Sequence, residues 1–170
     1  IYPQPEVGEV SSNITSKLSL SREESNQYVL IDKSGLKKTF IGGQRGYLYL
    51  IQDQFQNTLQ IQWGDLKRPT KISTSWGKNL WIYHDSNSRI KQIYLERAAA
   101  EKPENSPVVS YEYDLNGDLI SVTDRAGAAD RFAYQNHIIL QRTQKNGLNF
   151  YFKWDKHEPG AKCLRNWAHD

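Results

Sequence analysis

A period near 20 residues constrains this chain more than any other feature. Aromatic residues close short β-prone runs at Tyr113, Tyr134 and Trp154, 21 and 20 residues apart. The turn units "TDRAG" (Thr123–Gly127) and "TQKNG" (Thr143–Gly147) lie 20 apart, and upstream Trp63 and Tyr83 are again 20 apart. Two short strands and two turns fill such a period, so it predicts a β-hairpin repeat. The fold class that follows is all-β, a curved sheet of antiparallel hairpins.

The residue types fit that reading. In "YDLNGD" the carboxylate of Asp114 can bond its own backbone two residues on, and Asn116-Gly117 supplies positive φ at little cost. Asp124 and Gly127 repeat the pattern, Gly147 closes the next turn, and Asp155 follows Trp154 as Asp114 follows Tyr113. Tyr111 with Tyr113, and Phe150 with Phe152, are two residues apart and share a face, where they can stack on a neighbouring repeat.

Upstream the same grammar is looser. "QYVLID", "LKKTFI", "YLYLIQD", "TLQIQW", "TKISTS", "NLWIYHD" and "RIKQIYLE" are β-prone runs separated by Gly, Asn or Asp turn chemistry. Residues 26–95 therefore read as degenerate hairpin repeats, continuous with clear repeats over 108–170. Between them "ERAAAEKPENSP" (96–107) reads as an insertion loop, or a short helix over 96–102 stopped by Pro103. Residues 1–25, with Pro3, Pro5, Gly8 and many serines, read as an extended lead-in or linker with a helical turn near Ser21–Ser25. "GGQRG" (Gly42–Gly46) reads as a hairpin loop, since no helix follows to offer its N-terminus to a phosphate.

Charge and motifs favour no catalytic function. The 22 basic and 19 acidic residues are scattered along the strands, whereas a nucleic-acid footprint needs clustering. Cys163 is the one cysteine, which rules out an internal disulfide framework. No apolar run is long enough to predict a membrane span. The chain has no Met and begins at Ile1, which reads as a fragment or processed product. His84, His137, His157 and His169 have no metal-ligand spacing, and "DLNGD" (Asp114–Asp118) lacks the downstream bidentate Glu of a calcium loop. No nucleophile elbow, phosphate loop or dinucleotide fingerprint occurs. No catalytic residue, cofactor or metal ligand is nominated.

The segment "YEYDLNGDLISVTDRAGAADRFAYQNHIILQRTQKNGLNFYFKWD" resembles the YD repeats of the Rhs (rearrangement hot spot) family. There a Tyr-Asp-x-x-Gly turn leads into a Leu-x-x-x-x-Asp strand, a Gly turn and an aromatic pair. "TQKNGLNFYFKWD…CLRNWAHD" is similar to the Rhs toxins of bacteria. The likeness covers roughly residues 26–170 and is most specific over 109–155. Gln135 stands where the family has Asp, and Trp154 where it has Tyr. On this resemblance Tyr111, Tyr113, Asp114, Gly117, Asp124, Gly127, Tyr134, Gly147, Trp154 and Asp155 are repeat-motif structural residues.

The resemblance implies a non-catalytic segment of a shell that encapsulates a C-terminal toxin for delivery to competitor or host cells. The implied partners are neighbouring YD repeats, the enclosed toxin domain and components of a secretion apparatus such as type VI. The implied location is the bacterial cytoplasm before export, then the secreted or cell-surface state. The Asp-Pro self-cleavage motif that precedes the toxin in that family is absent, so any toxin activity is expected outside this chain. The rival reading is a β-repeat module that binds carbohydrate or a cell surface through exposed Tyr and Trp.

Overall fold

Alternating β-prone runs separated by turn residues have one economical solution, in which each run pairs with the next. The computed structural model describes residues 5–24, 26–42, 46–97 and 106–169, and adopts this arrangement. Among them fifteen strands form one antiparallel sheet whose order is the order of the chain. They are β1 (Val10–Asn13), β2 (Leu18–Glu24), β3 (Gln27–Ile31), β4 (Lys37–Ile41), β5 (Tyr47–Gln52), β6 (Thr58–Trp63), β7 (Pro69–Thr74) and β8 (Lys78–His84). The series continues with β9 (Ile90–Arg97), β10 (Val109–Tyr113), β11 (Leu119–Asp124), β12 (Ala129–Gln135), β13 (Ile138–Thr143), β14 (Asn149–Trp154) and β15 (Cys163–His169). The one helical element among the described residues is a 3-10 turn, Asp65–Lys67. The all-β expectation holds.

Two compact units divide the chain. One runs to Trp81 and takes in Glu96 and Arg97; the other holds Ile82–Leu95 and the residues from 106 on. In the first unit, pairing from β6 to β8 matches Ile61 with Ile72 and Ile72 with Leu80, and Gln60 with Ser73 and Ser73 with Asn79. One face is thus aliphatic, while the other carries these amides and hydroxyls together with Lys71 and Trp81, as period-2 alternation requires. In the second unit, Phe132 lies opposite Arg142 and Arg142 opposite Phe150, while Ser121, Arg131, Thr143 and Asn149 line the other face.

Burial is shallow in both units. Among the described residues Val29 and Ile82 are the buried apolar ones, at 4% and 8% exposure, and no large side chain is fully buried. Stability in such a sheet comes from the backbone ladder and cross-strand pairs, each pair contributing roughly 0.2–1 kcal/mol.

Three expectations need correction or restriction. Residues 10–24 form the hairpin β1–β2, with Ser12 opposite Ser19 and Leu20 opposite Leu30 of β3. The helical turn expected near Ser21–Ser25 is strand as far as Glu24: alternation in "LSLSR" lets Leu18, Leu20 and Arg22 share a face. Glu96 and Arg97, placed at the start of a short helix, belong to strand β9. The rest of that expected helix, 98–102, lies outside the described residues, as do 43–45 of the "GGQRG" loop.

Candidate functional site: the hairpin node

One turn geometry recurs at seven positions among the described residues. The fourth residue's amide donates to the first residue's carbonyl at Asp32–Gly35, Asp53–Gln56, Thr74–Gly77, Asp85–Ser88, Asp114–Gly117, Asp124–Gly127 and Gln144–Gly147, at 2.9–3.2 Å. The fourth residue always has positive φ, between 68° and 93°. This is a three-residue hairpin loop, a type I turn followed by a left-handed residue. The Asp carboxylate locks it. Oδ1 of Asp32, Asp53, Asp85 and Asp124 each accepts two backbone amides, two and four residues on, at 2.8–3.2 Å. Asp114 accepts the Asp118 amide at 2.8 Å.

Side-chain and backbone hydrogen bonds together hold the carboxyls of Asp32, Asp53, Asp85 and Asp124 below the usual range. The largest cause differs: the Ser34 hydroxyl, the Asn57 amide, the Arg89 backbone amide and the Lys145 ammonium respectively.

A second element recurs beside the loops that join β4–β5, β6–β7, β10–β11, β12–β13 and β14–β15. The register slips by one residue at Phe40, Trp63, Tyr113, Tyr134 and Trp154. Each slip leaves one extra residue on the returning strand: Tyr49, Thr70, Ile120, Leu140 and Leu164. Such bulges bend a strand and raise its twist. At three of them the aromatic also reaches backward. Trp63 Nε1 donates to the Leu48 carbonyl at 2.9 Å, Tyr113 Oη to that of Ile90 at 2.9 Å, and Trp154 Nε1 to that of Ile139 at 2.6 Å. The aromatic therefore pins three consecutive strands, and we call this arrangement the node. Desolvation raises the Tyr113 and Tyr134 phenol pKa values.

The sequence-singled residues now have places. Asp114, Gly117, Asp124, Gly127 and Gly147 make turns, and Tyr113, Tyr134 and Trp154 sit at bulges. Tyr111 lies opposite Val122 on β11. Asp155 closes a longer loop, its carboxylate accepting the Lys162 amide at 2.8 Å. Among the described residues ring contacts join Tyr47 to Trp63, Tyr83 to Tyr94, and Tyr151 to Trp167.

Two polar clusters escaped sequence reasoning. In the first unit Glu96, at 6% exposure, lies 3.4 Å from Lys71 Nζ and accepts the Trp81 indole N–H, while Lys71 stacks over the Trp81 ring at 4.5 Å. The indole bond, ahead of Lys71, keeps the Glu96 carboxyl ionised below its ordinary range. In the second unit His137 Nδ1 meets Asp118 Oδ1 at 2.8 Å. Their signals were weak because the partners are far apart in sequence.

Chemically, these groups bond one another. Among the described residues no three His, Cys, Asp or Glu gather as a metal site, and no helix is long and apolar enough to cross a membrane. Several open clefts line the sheet among the described residues. One of about 430 Å³ is lined by Asp85, Arg89, Lys91, Tyr111, Glu112 and Tyr113, with Arg89 already paired to Asp85 at 2.8 Å.

A chain of repeated hairpins with such nodes is similar in sequence to bacterial toxin proteins. It is 26% identical over 164 residues to double-stranded DNA deaminase toxin A of Burkholderia cenocepacia strain H111, covering 92% of this chain and 11% of that protein. Over 59 residues it is 34% identical to the toxin protein Tse5 of Pseudomonas aeruginosa strain PAO1, covering 34% of this chain and 4% of the other. The chain thus spans about a tenth of the first relative's length and less of the second's. No protein-family profile matches the chain.

Proposed function

We propose that this chain is a non-catalytic stretch of an Rhs-type YD-repeat shell, and that its work is to enclose the toxin segment of a bacterial toxin. The observation that carries the reading is recurrence: one turn geometry used seven times, with an aromatic bulge at five hairpins. An active site needs one special constellation, whereas a wall needs the same joint many times. The toxin relatives support the association. In this reading the partners are neighbouring repeats, the enclosed segment and the export apparatus. The protein is made in the bacterial cytoplasm and then secreted or displayed.

Protease protection in the full-length native protein tests it. Gly117→Pro removes the turn amide and forbids the φ of 91°. The account expects the toxin segment to resist protease in the wild type and to be cut in the variant. Equal cutting in both contradicts it. Exposed Trp76 and Trp167, at 56% and 40%, favour the rival carbohydrate reading, which requires glycan binding lost on Trp→Ala change.

A further inference from the structure

The turn between β12 and β13 departs from the other hairpin turns. Two residues make it, Asn136 at φ 50° and His137 at φ 66°. Both central residues at positive φ define a type I′ turn, for which Asn-Gly is the favoured pair. His137 therefore sits where glycine would carry less backbone strain.

The His137 side chain reaches across to the preceding hairpin. Nδ1 lies 2.8 Å from Oδ1 of Asp118, the residue that closes the β10–β11 turn. Asp118 is 13% exposed while the imidazole is 68% exposed, so the carboxylate is fixed and the ring is open to protons. On the other side Asn136 Nδ2 donates to the His157 carbonyl at 3.1 Å, in the loop after β14. One two-residue turn thus joins three successive hairpins at one end of their strands.

We propose that His137 and Asp118 form a protonation-dependent clip, which ties hairpin β12–β13 to hairpin β10–β11 in mild acid and loosens as the medium becomes alkaline.

The charges around the imidazole support this direction. From the β10–β11 turn Asp118 and, further off, Asp114 both favour the imidazolium. The loop after β14 carries Lys156 and Glu158, which pair with each other at 3.2 Å, and Asp155, whose carboxylate holds the Lys162 amide. Within its own hairpin Tyr134 is neutral at these pH values, its phenol pKa raised by burial. The Asp118 hydrogen bond, then its charge, raises the His137 pKa above 6.5. A raised histidine pKa adds stability that is complete below the unfolded value, about 6.5, and lost as pH rises through the folded value.

An NMR titration of the His137 ring in the full chain tests the clip. The midpoint is expected above 6.5 in the wild type and nearer about 6.5 in Asp118→Asn, where the anionic partner is gone. Identical midpoints in the two proteins overturn the proposal. Thermal unfolding at about pH 6 and about pH 9, on either side of the histidine range, supplies a second readout. His137→Asn tolerates positive φ and can still bond Asp118, but it does not titrate. The clip requires the fall in melting temperature between the two pH values to be smaller in His137→Asn than in the wild type. An equal fall contradicts it.

Discussion

Trp154 donates its indole N–H to the carbonyl of Ile139 on the preceding strand, while the register beyond Trp154 slips to leave Leu164 as a bulge. Trp63 makes the same connection to Leu48, with Thr70 as the bulged residue. Two nodes in two separately packed units are thus built alike, although the surrounding sequences differ. Trp154→Phe keeps most of the apolar contact and removes the donor. The expected loss is about 1 kcal/mol, the usual net worth of one such bond. Trp63→Phe should lose a similar amount. Urea unfolding measures both, and no loss in either variant would show that the node holds nothing.

The turn glycines offer a cleaner backbone test. A Cβ at Gly127 meets nothing within 4 Å, yet φ is 83°, so Gly127→Ala should cost about 1 kcal/mol from the left-handed conformation alone. Gly64 is the opposite case. Its φ of −90° suits any residue, but a Cβ there would lie 2.7 Å from Thr70 Cγ2. Gly64→Ala should destabilise by a clash that Thr70→Ser relieves, since serine lacks that methyl. A double-mutant cycle reads the coupling; strict additivity would contradict the assignment.

Acid should weaken the sheet at its turns. Asp32, Asp53, Asp85 and Asp124 have carboxyl pKa values below the unfolded value near 3.8, as does Asp130 through the Arg142 guanidinium at 2.6 Å. A depressed carboxyl pKa contributes stability that is present above the unfolded value and lost as pH falls through the folded one. Urea midpoints should therefore drop steeply below about pH 4. Asp85→Asn should flatten that drop, and an unchanged slope in this variant would count against the turn account.

Glu96 and Trp81 form a built-in reporter. Lys71→Met removes the nearby ammonium from a carboxylate with little access to water, so the Glu96 pKa should rise. Because Trp81 bonds that carboxylate, its fluorescence should change with pH at a higher midpoint in Lys71→Met than in the wild type. Coincident midpoints would mean that the ion pair at 3.4 Å is not formed in solution.

Much of this architecture was legible in the sequence because turns and periodicity are local. "TLQIQW" is strand β6 to the residue, and the Asp-x-x-Gly turns at Asp114 and Asp124 adopt the positive φ their glycines suggested. Gln56 and Ser88 take the same left-handed position without glycine, held by Asp53 and Asp85, so the rule was harder to see upstream. The bulges were not legible, since the extra residues Ile120 and Leu140 look like ordinary strand residues. Hairpin β1–β2 was missed because "SSN" and "LSLS" are short and polar, and tertiary pairing with β3 decides their conformation. The contacts of Glu96 with Lys71 and of His137 with Asp118 join residues 25 and 19 apart, beyond the reach of local pattern.

The most direct test of the shell reading is the mass and sequence of the native gene product, measured by intact-protein and peptide mass spectrometry. The account predicts a product many times longer than 170 residues. Asp-x-x-Gly turns and aromatic strand ends should continue in it at a period near 20, leading to a segment unlike the repeats. A native product of about this chain's own size, with no further repeats, would contradict it.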